Sequence, residues 1–214
     1  MAERRYGGKT AVQRRAERRE QLLDAAVELF GTVGYAGTTI EMLCRASGLN
    51  PRYFYEQFED RAALLLAVYN RHTEAVLATV VAALGDVPAD PARQLEAGLR
   101  AFVDGALADP RLARINYFEM TGVSRELDAR IREVLRLYAD LITAQIDAID
   151  PAVRPQLRNP RLAAIAVVGA VDGLITEALA SDPPTERDEI IATLLELLTP
   201  LIGQTRTRRS RSAS

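Results

Sequence analysis

Apolar positions recur every three or four residues over the first third of the chain, and the pattern stops and restarts twice. Leu22, Ala25, Ala26, Leu29 and Phe30 lie on one face of a helix expected from about Ala16 to Thr32, closing at Gly34. A shorter face comes next at Ile40, Leu43 and Cys44, with Thr38 and Glu41 three apart as a capping box at its start. Gly48 supplies the left-handed residue that ends this helix, and Leu49 fills the corner. Asn50 then caps a third helix whose first position is Pro51, where the missing N–H costs nothing. Phe54 and Phe58 anchor that helix inward, so Arg52, Tyr53, Tyr55, Glu56 and Gln57 face away. A short helix held out on a turn, carrying an arginine and phenol hydroxyls, suits the major groove of DNA. A purely structural pair of helices would show the same two apolar faces.

Beyond Asp60, a capping residue, the pattern predicts one long helix from Arg61 to about Leu84, broken by GDVPADP. Its start belongs to the helix-turn-helix and its end to a second domain, which makes it a lever between the two. Asp90-Pro91, Asp109-Pro110 and Asn159-Pro160 each put a capping side chain before a proline. The helices implied are 91–108, 110–121, 124–149, 160–181 and 185–202, with Thr185 capping the last. No stretch alternates as a strand does, so the fold class is all-α. The domain division expected is a disordered basic arm (1–15), a three-helix domain holding the groove-binding hairpin (16–62), a helical second domain (63–203) and a disordered Arg/Ser-rich tail (204–214).

Composition narrows the function. The chain has 214 residues, 48% hydrophobic and 26% charged, with a formal net charge of −2. That balance makes no global case for a polyanion, so positive charge must act locally. Between Arg4 and Arg19 seven basic residues stand against the single acid Glu17, an arm that could contact phosphates or simply be solvated. A single histidine, a single cysteine and no Gly-rich phosphate loop argue against an enzyme, and neither cofactor nor metal is expected. Cys44 alone forms no internal disulfide and fits a reducing cytoplasm. No apolar run is expected to reach the roughly 18–20 residues of a membrane span, and the arginine-rich start is not a secretory signal.

The run GYAGTTIEMLCRASGLNPRYFYEQFEDRAALLLAV resembles the DNA-binding segment of the TetR family of bacterial repressors. The shared features are Gly34-Tyr35, Thr38-Thr39, Gly48, Phe54-Tyr55, Phe58, Arg61 and Leu64, with Leu22 to Ala26 and Leu29-Phe30 similar to the family's opening helix. The resemblance implies a homodimer that binds a palindromic double-stranded operator and is released by a small organic effector. Arg52 and Tyr53 are then candidates for base edges, and Tyr55, Gln57 and Arg61 for phosphates, Arg61 standing where the family commonly has lysine. Thr38 and Thr39, with Asn50 and Pro51, complete the candidate DNA-binding set, the threonines offering a hydroxyl and an N–H at a helix start. Arg52-Tyr53 is bulky for the family, Gln57 replaces a common His or Tyr, and Glu56 is an acid on a face that meets a polyanion.

Family members pair through their last two helices. Here 160–202 is apolar nearly all round, and such a helix must be covered on every side, by a second copy or within one buried hairpin. The same second domain commonly binds a small molecule. Candidate ligand residues are His72, Phe102, Asn116, Tyr117, Met120, Tyr138 and Asp172, although each is also an ordinary core, surface or interface residue. The rival function is a helical interaction or ligand-carrier module that binds no specific DNA.

Overall fold

The computed structural model describes residues 10–88, 90–149 and 157–203, without the side chains of the last three. The expected arm up to residue 9 and the tail from 204 lie outside them. The helices are α1 (Ala11–Thr32), α2 (Ile40–Ser47), α3 (Pro51–Tyr55), α4 (Arg61–Gly85), α5 (Pro91–Ala106), α6 (Pro110–Arg114), α7 (Arg125–Ala148), α8 (Pro160–Ala180) and α9 (Arg187–Gly203), with a π-helical turn at Ile115–Glu119. The described residues contain no strand, and the fold is all-α as expected.

Local chemistry accounts for most helix starts. Asn50, Asp90, Asp109 and Asn159 each accept a backbone N–H of the first turn, and each precedes a proline at the first helical position. Asp60 accepts from Ala63 N at 2.8 Å at the head of α4. Three helix starts differ from expectation, the last being α9, which begins at Arg187, two residues past Thr185, so Thr185 is not its adjacent cap. α1 begins at Ala11, not Ala16, because Thr10 and Gln13 form a reciprocal capping box. Its first turns are exposed and carry no apolar stripe, so periodicity could not reveal them, and residues 11–15 are helix instead of a disordered arm. At α2 the cap is Thr39, whose hydroxyl accepts from Met42 N at 3.2 Å, so Thr38 and Glu41 form no capping box.

Two compact units result, one from the stretch up to His72 with Asp109–Asp128, the other from Thr73–Ala108 with the stretch from Ala129 onward. The expected boundary between residues 62 and 63 is therefore corrected: the first twelve residues of α4, α6 and the π-turn all belong with the first three helices. In the first unit, Leu22, Ala26 and Phe30 of α1 are fully buried, as are Leu43, Phe54, Leu64, Leu65 and Val68. α6 packs on α1 at Gly31, where an added Cβ would sit 2.4 Å from Arg111 Cβ. Arg111 reaches back to Glu28 at 2.6 Å, and Arg114 donates to Thr32 O at 3.1 Å. The expected single helix 110–121 widens into the π-turn, where Met120 N donates to Ile115 O, and Ile115 and Met120, five apart, are both fully buried.

In the second unit α9 packs against α5 and α8. Val103, Ile175 and Leu194 are fully buried, and Arg187 pairs with Asp104 at 3.8 Å. Arg161 at the start of α8 pairs with Asp140 of α7. α8 buries Ala164, Val171, Ile175 and Ala178, whereas Leu162 (61% exposed), Ile165, Ala166, Gly169, Ala170 and Gly173 lie open, as does Leu197 of α9. By length and composition alone α8 passes for a membrane span, so the expectation that no apolar run reaches that length is corrected, while a single helix of this kind does not indicate a membrane protein. Asp172 and Glu177 interrupt it without lowering its mean hydropathy below that of a span. Length and apolarity fit a pairing helix equally well.

Candidate nucleic-acid interface

The turn between α2 and α3 is built by backbone geometry. Gly48 sits at φ +70°, Leu49 N returns to Cys44 O at 2.9 Å, and Asn50 Oδ1 accepts from Tyr53 N at 3.2 Å. Phe54 is fully buried, edge-on to Tyr55 and tilted against Phe58. With that anchor inward, Pro51, Arg52 and Tyr55 face solvent; the Arg52 side chain is 84% exposed and Tyr55 60%. Tyr53 and Gln57 are half-buried. The helix itself spans five residues, and Glu56 is its C-cap, so the protruding rod expected over Asn50 to Gln57 is one and a half turns with a non-helical end.

Arginines of α1 hold this element from behind. Arg18 lies over the Tyr53 ring at 4.5 Å and Arg19 over Phe58 at 4.6 Å. Arg15 Nη2 donates to Glu56 O at 3.2 Å, and Arg18 Nη2 stands 3.9 Å from Glu56 Oε2. Glu56 Oε1 accepts from Arg52 Nε at 3.2 Å. The acid on the outer face is thus enclosed by arginines. Sequence alone counts Arg15, Arg18 and Arg19 among a basic stretch that either contacts phosphates or is simply solvated. Their spacing of three and four shows a shared helical face only once α1 is started at Ala11.

Two candidate phosphate contacts do other work. Thr38 is fully buried and donates its hydroxyl to Gly34 O at 2.8 Å, so it offers nothing to a ligand. The neighbouring Thr39 is exposed at the start of α2. Arg61 is not a free surface cation either: its Nη1 donates to Tyr35 O at 2.9 Å and also to Thr38 O, and its guanidinium lies 4.7 Å from the centre of the Tyr35 ring. That ring is tilted against Phe30, and burial raises the phenol pKa. Gln57 turns its amide nitrogen inward, without an acceptor among the described residues. Glu119, in the segment beside the candidate ligand residues Asn116 and Met120, accepts from Tyr35 N at 2.7 Å and pairs with Arg114 at 3.0 Å. Arg61 and Glu119 therefore clamp the α1–α2 loop from opposite ends of the Tyr35 residue.

The candidate ligand residues fall into both units. In the first, His72 Nε2 and Asn116 Oδ1 are buried without a hydrogen-bond partner among the described residues. Burial lowers the His72 pKa, against a smaller opposing pull from Asp109. Tyr117 is half-buried, and Met120 is fully buried as a core residue. In the second, Phe102 and Tyr138 meet edge-to-face at 5.0 Å. Asp172 is half-buried on α8, and desolvation raises its pKa. No group of three or more metal-ligating side chains converges among the described residues.

Comparison with known proteins bears on the same segment. Residues 22–68 match the family model described as bacterial regulatory proteins, tetR family. The chain is 31% identical over 160 residues to the HTH-type transcriptional regulator TcmR of Streptomyces glaucescens, covering 67% of this chain and 68% of that protein. It is 25% identical over 177 residues to the HTH-type transcriptional activator FasR of Mycolicibacterium smegmatis, covering 83% and 79%. Among solved structures it is similar in fold to the transcriptional regulator FadR from Bacillus subtilis in complex with stearoyl-CoA, with TM-score 0.73, 19% identity and coverage of 86% and 97%.

Proposed function

Because this chain belongs to the TetR family of bacterial transcriptional regulators, we propose that it is a homodimeric repressor that binds a palindromic operator through α2 and α3 and is released by a small organic effector. One observation carries the DNA-binding part. The outward side of α3 presents Arg52 and Tyr55, while Phe54 on the opposite side is wholly buried. Arg52 and Tyr53 are the proposed base-edge contacts. Tyr55, with Thr39, Asn50 and Pro51 around the turn, is proposed for the sugar–phosphate backbone, whereas Gln57, expected there too, has its amide donor turned inward. Pairing is supported by the open face of α8, whose small residues allow close approach of a second copy.

Repression would follow from occupying a promoter. The relative in M. smegmatis is named an activator, so operator position, not the reading head, would set the sign of control. The effector proposal is supported by the fold shared with a stearoyl-CoA complex, by the Phe102–Tyr138 pair and by the unpartnered polar atoms of His72 and Asn116. By linkage, effector and operator weaken each other by the same factor, typically about 5- to 150-fold.

The test is selection from a random double-stranded DNA library by the full-length protein, followed by titration of the recovered duplex with and without stearoyl-CoA. The expected result is an inverted repeat with half-sites about 10 bp apart or a multiple of that, bound by two chains. Recovery of no common sequence would refute operator binding, and an affinity indifferent to the acyl-CoA would remove that effector class.

A further inference from the structure

An acidic side chain beside a base-reading arginine needs a reason, since it weakens attraction to every phosphate nearby. We infer that Glu56 is a positioning residue for Arg52, setting which edge of its guanidinium meets the DNA; this rests on Arg52 reading a base, as proposed above. Both carboxylate oxygens face arginines. Oε1 accepts from Arg52 Nε at 3.2 Å, and Oε2 lies 3.9 Å from Arg18 Nη2. The Glu56 main chain is held as well, its carbonyl accepting from Arg15 at 3.2 Å. Arg18 is in turn stacked over Tyr53. Glu56 is therefore fixed to α1 from behind and is less than half as exposed as the arginine it holds, 38% against 84%.

The geometry of a guanidinium gives this arrangement a consequence. Arginine offers five N–H groups in a planar fork, and guanine is read by two of them, on its O6 and N7. Occupying Nε with Glu56 leaves the terminal Nη1–Nη2 edge as the outward pair. An exposed arginine without such a support samples many rotamers, and ordering it on binding costs affinity. Glu56 thus lowers general attraction to DNA and raises discrimination at one base pair. In this role Glu56 acts through Arg52 and reads no base itself.

Sequence selection and duplex titration with full-length Arg52→Ala, Glu56→Ala, Glu56→Gln and the Arg52→Ala/Glu56→Ala pair test this, with circular dichroism to confirm folding. Arg52→Ala should erase preference at one base pair per half-site. Glu56→Ala should relax that same pair, losing part of the roughly 5- to 150-fold discrimination a bidentate contact supplies, while binding random duplex more tightly. Glu56→Gln, which keeps an acceptor oxygen and loses the charge, should fall between and decides the matter if the alanine variant is unstable. In the Arg52→Ala background, loss of Glu56 should change no base preference. If Arg52→Ala alters a base preference and neither Glu56 variant does, the positioning role is wrong and base reading by Arg52 stands. A Glu56 effect at a different base pair would mean direct reading instead, and an Arg52→Ala variant with unaltered preference would sink both.

Discussion

Replacing Arg61 by alanine separates two accounts of that residue. The family pattern makes it a phosphate contact, whereas here its Nη1 donates to the carbonyls of Tyr35 and Thr38 and its plane lies over the Tyr35 ring. Hydrogen bonds from a charged donor contribute about 1.5–3 kcal/mol each. The site is partly exposed, and Tyr35 O keeps a second donor in Thr38 N at 3.3 Å, so the net loss is between one and two bonds at the lower end of that range, about 1.5–3 kcal/mol. With the ring contact at about 0.5–1 kcal/mol for an exposed pair, the loss should be about 2–4 kcal/mol. For a chain of this length each kcal/mol lowers the melting temperature by about 2–4 °C, giving a fall of about 4–16 °C by far-UV circular dichroism. Arg61→Lys should recover part of it, since an ammonium keeps the charge and donors but loses the planar stacking. DNA affinity would fall as well, because the loop that ends at Thr39 is no longer held. If Arg61→Ala instead melts like the parent while the slope of log affinity against log salt shallows by about 1, Arg61 is a phosphate ligand and the clamp contributes nothing.

Glycine substitutions at two sites should destabilise for different reasons. Gly31→Ala would place a methyl 2.4 Å from Arg111 Cβ and 2.8 Å from its Cα, forcing α6 off α1 at a cost of about 1–3 kcal/mol, read as a lowered denaturation midpoint; an unchanged midpoint would mean the two helices are not in close contact. Gly48→Ala meets nothing within 4 Å but sits at φ +70°, so about 1–2 kcal/mol of backbone strain is expected. Burial holds the His72 pKa below its ordinary 6.5, so the unfolded chain takes up that proton first. Its contribution to stability is complete above 6.5 and declines as pH falls from there through the folded-state value. His72→Gln should flatten that decline. His72 is the sole histidine, so its imidazole resonance reports the folded pKa directly, and a midpoint at or above 6.5 would refute the assignment.

Much of the reading head is local chemistry, and local chemistry is legible in a sequence. Asn50-Pro51, Asp90-Pro91, Asp109-Pro110 and Asn159-Pro160 cap their helices wherever those helices end up, because a cap spans only a few neighbouring residues. Gly48 turns the chain for the same reason, and the spacing of Phe54 and Phe58 already places Arg52 and Tyr55 on the opposite side. Tertiary structure decided what each charged group does, since a salt bridge is chosen by whatever the fold brings near. Arg15 reaches Glu56 across 41 residues, Arg61 the Tyr35 carbonyl across 26, and Glu119 the Tyr35 amide across 84. Neighbouring threonines could each have capped α2; burial of Thr38 settled the choice. Packing likewise assigned α6 to the first unit, through a glycine face on α1 that no periodicity announces, and left one side of α8 open where composition had marked every side apolar.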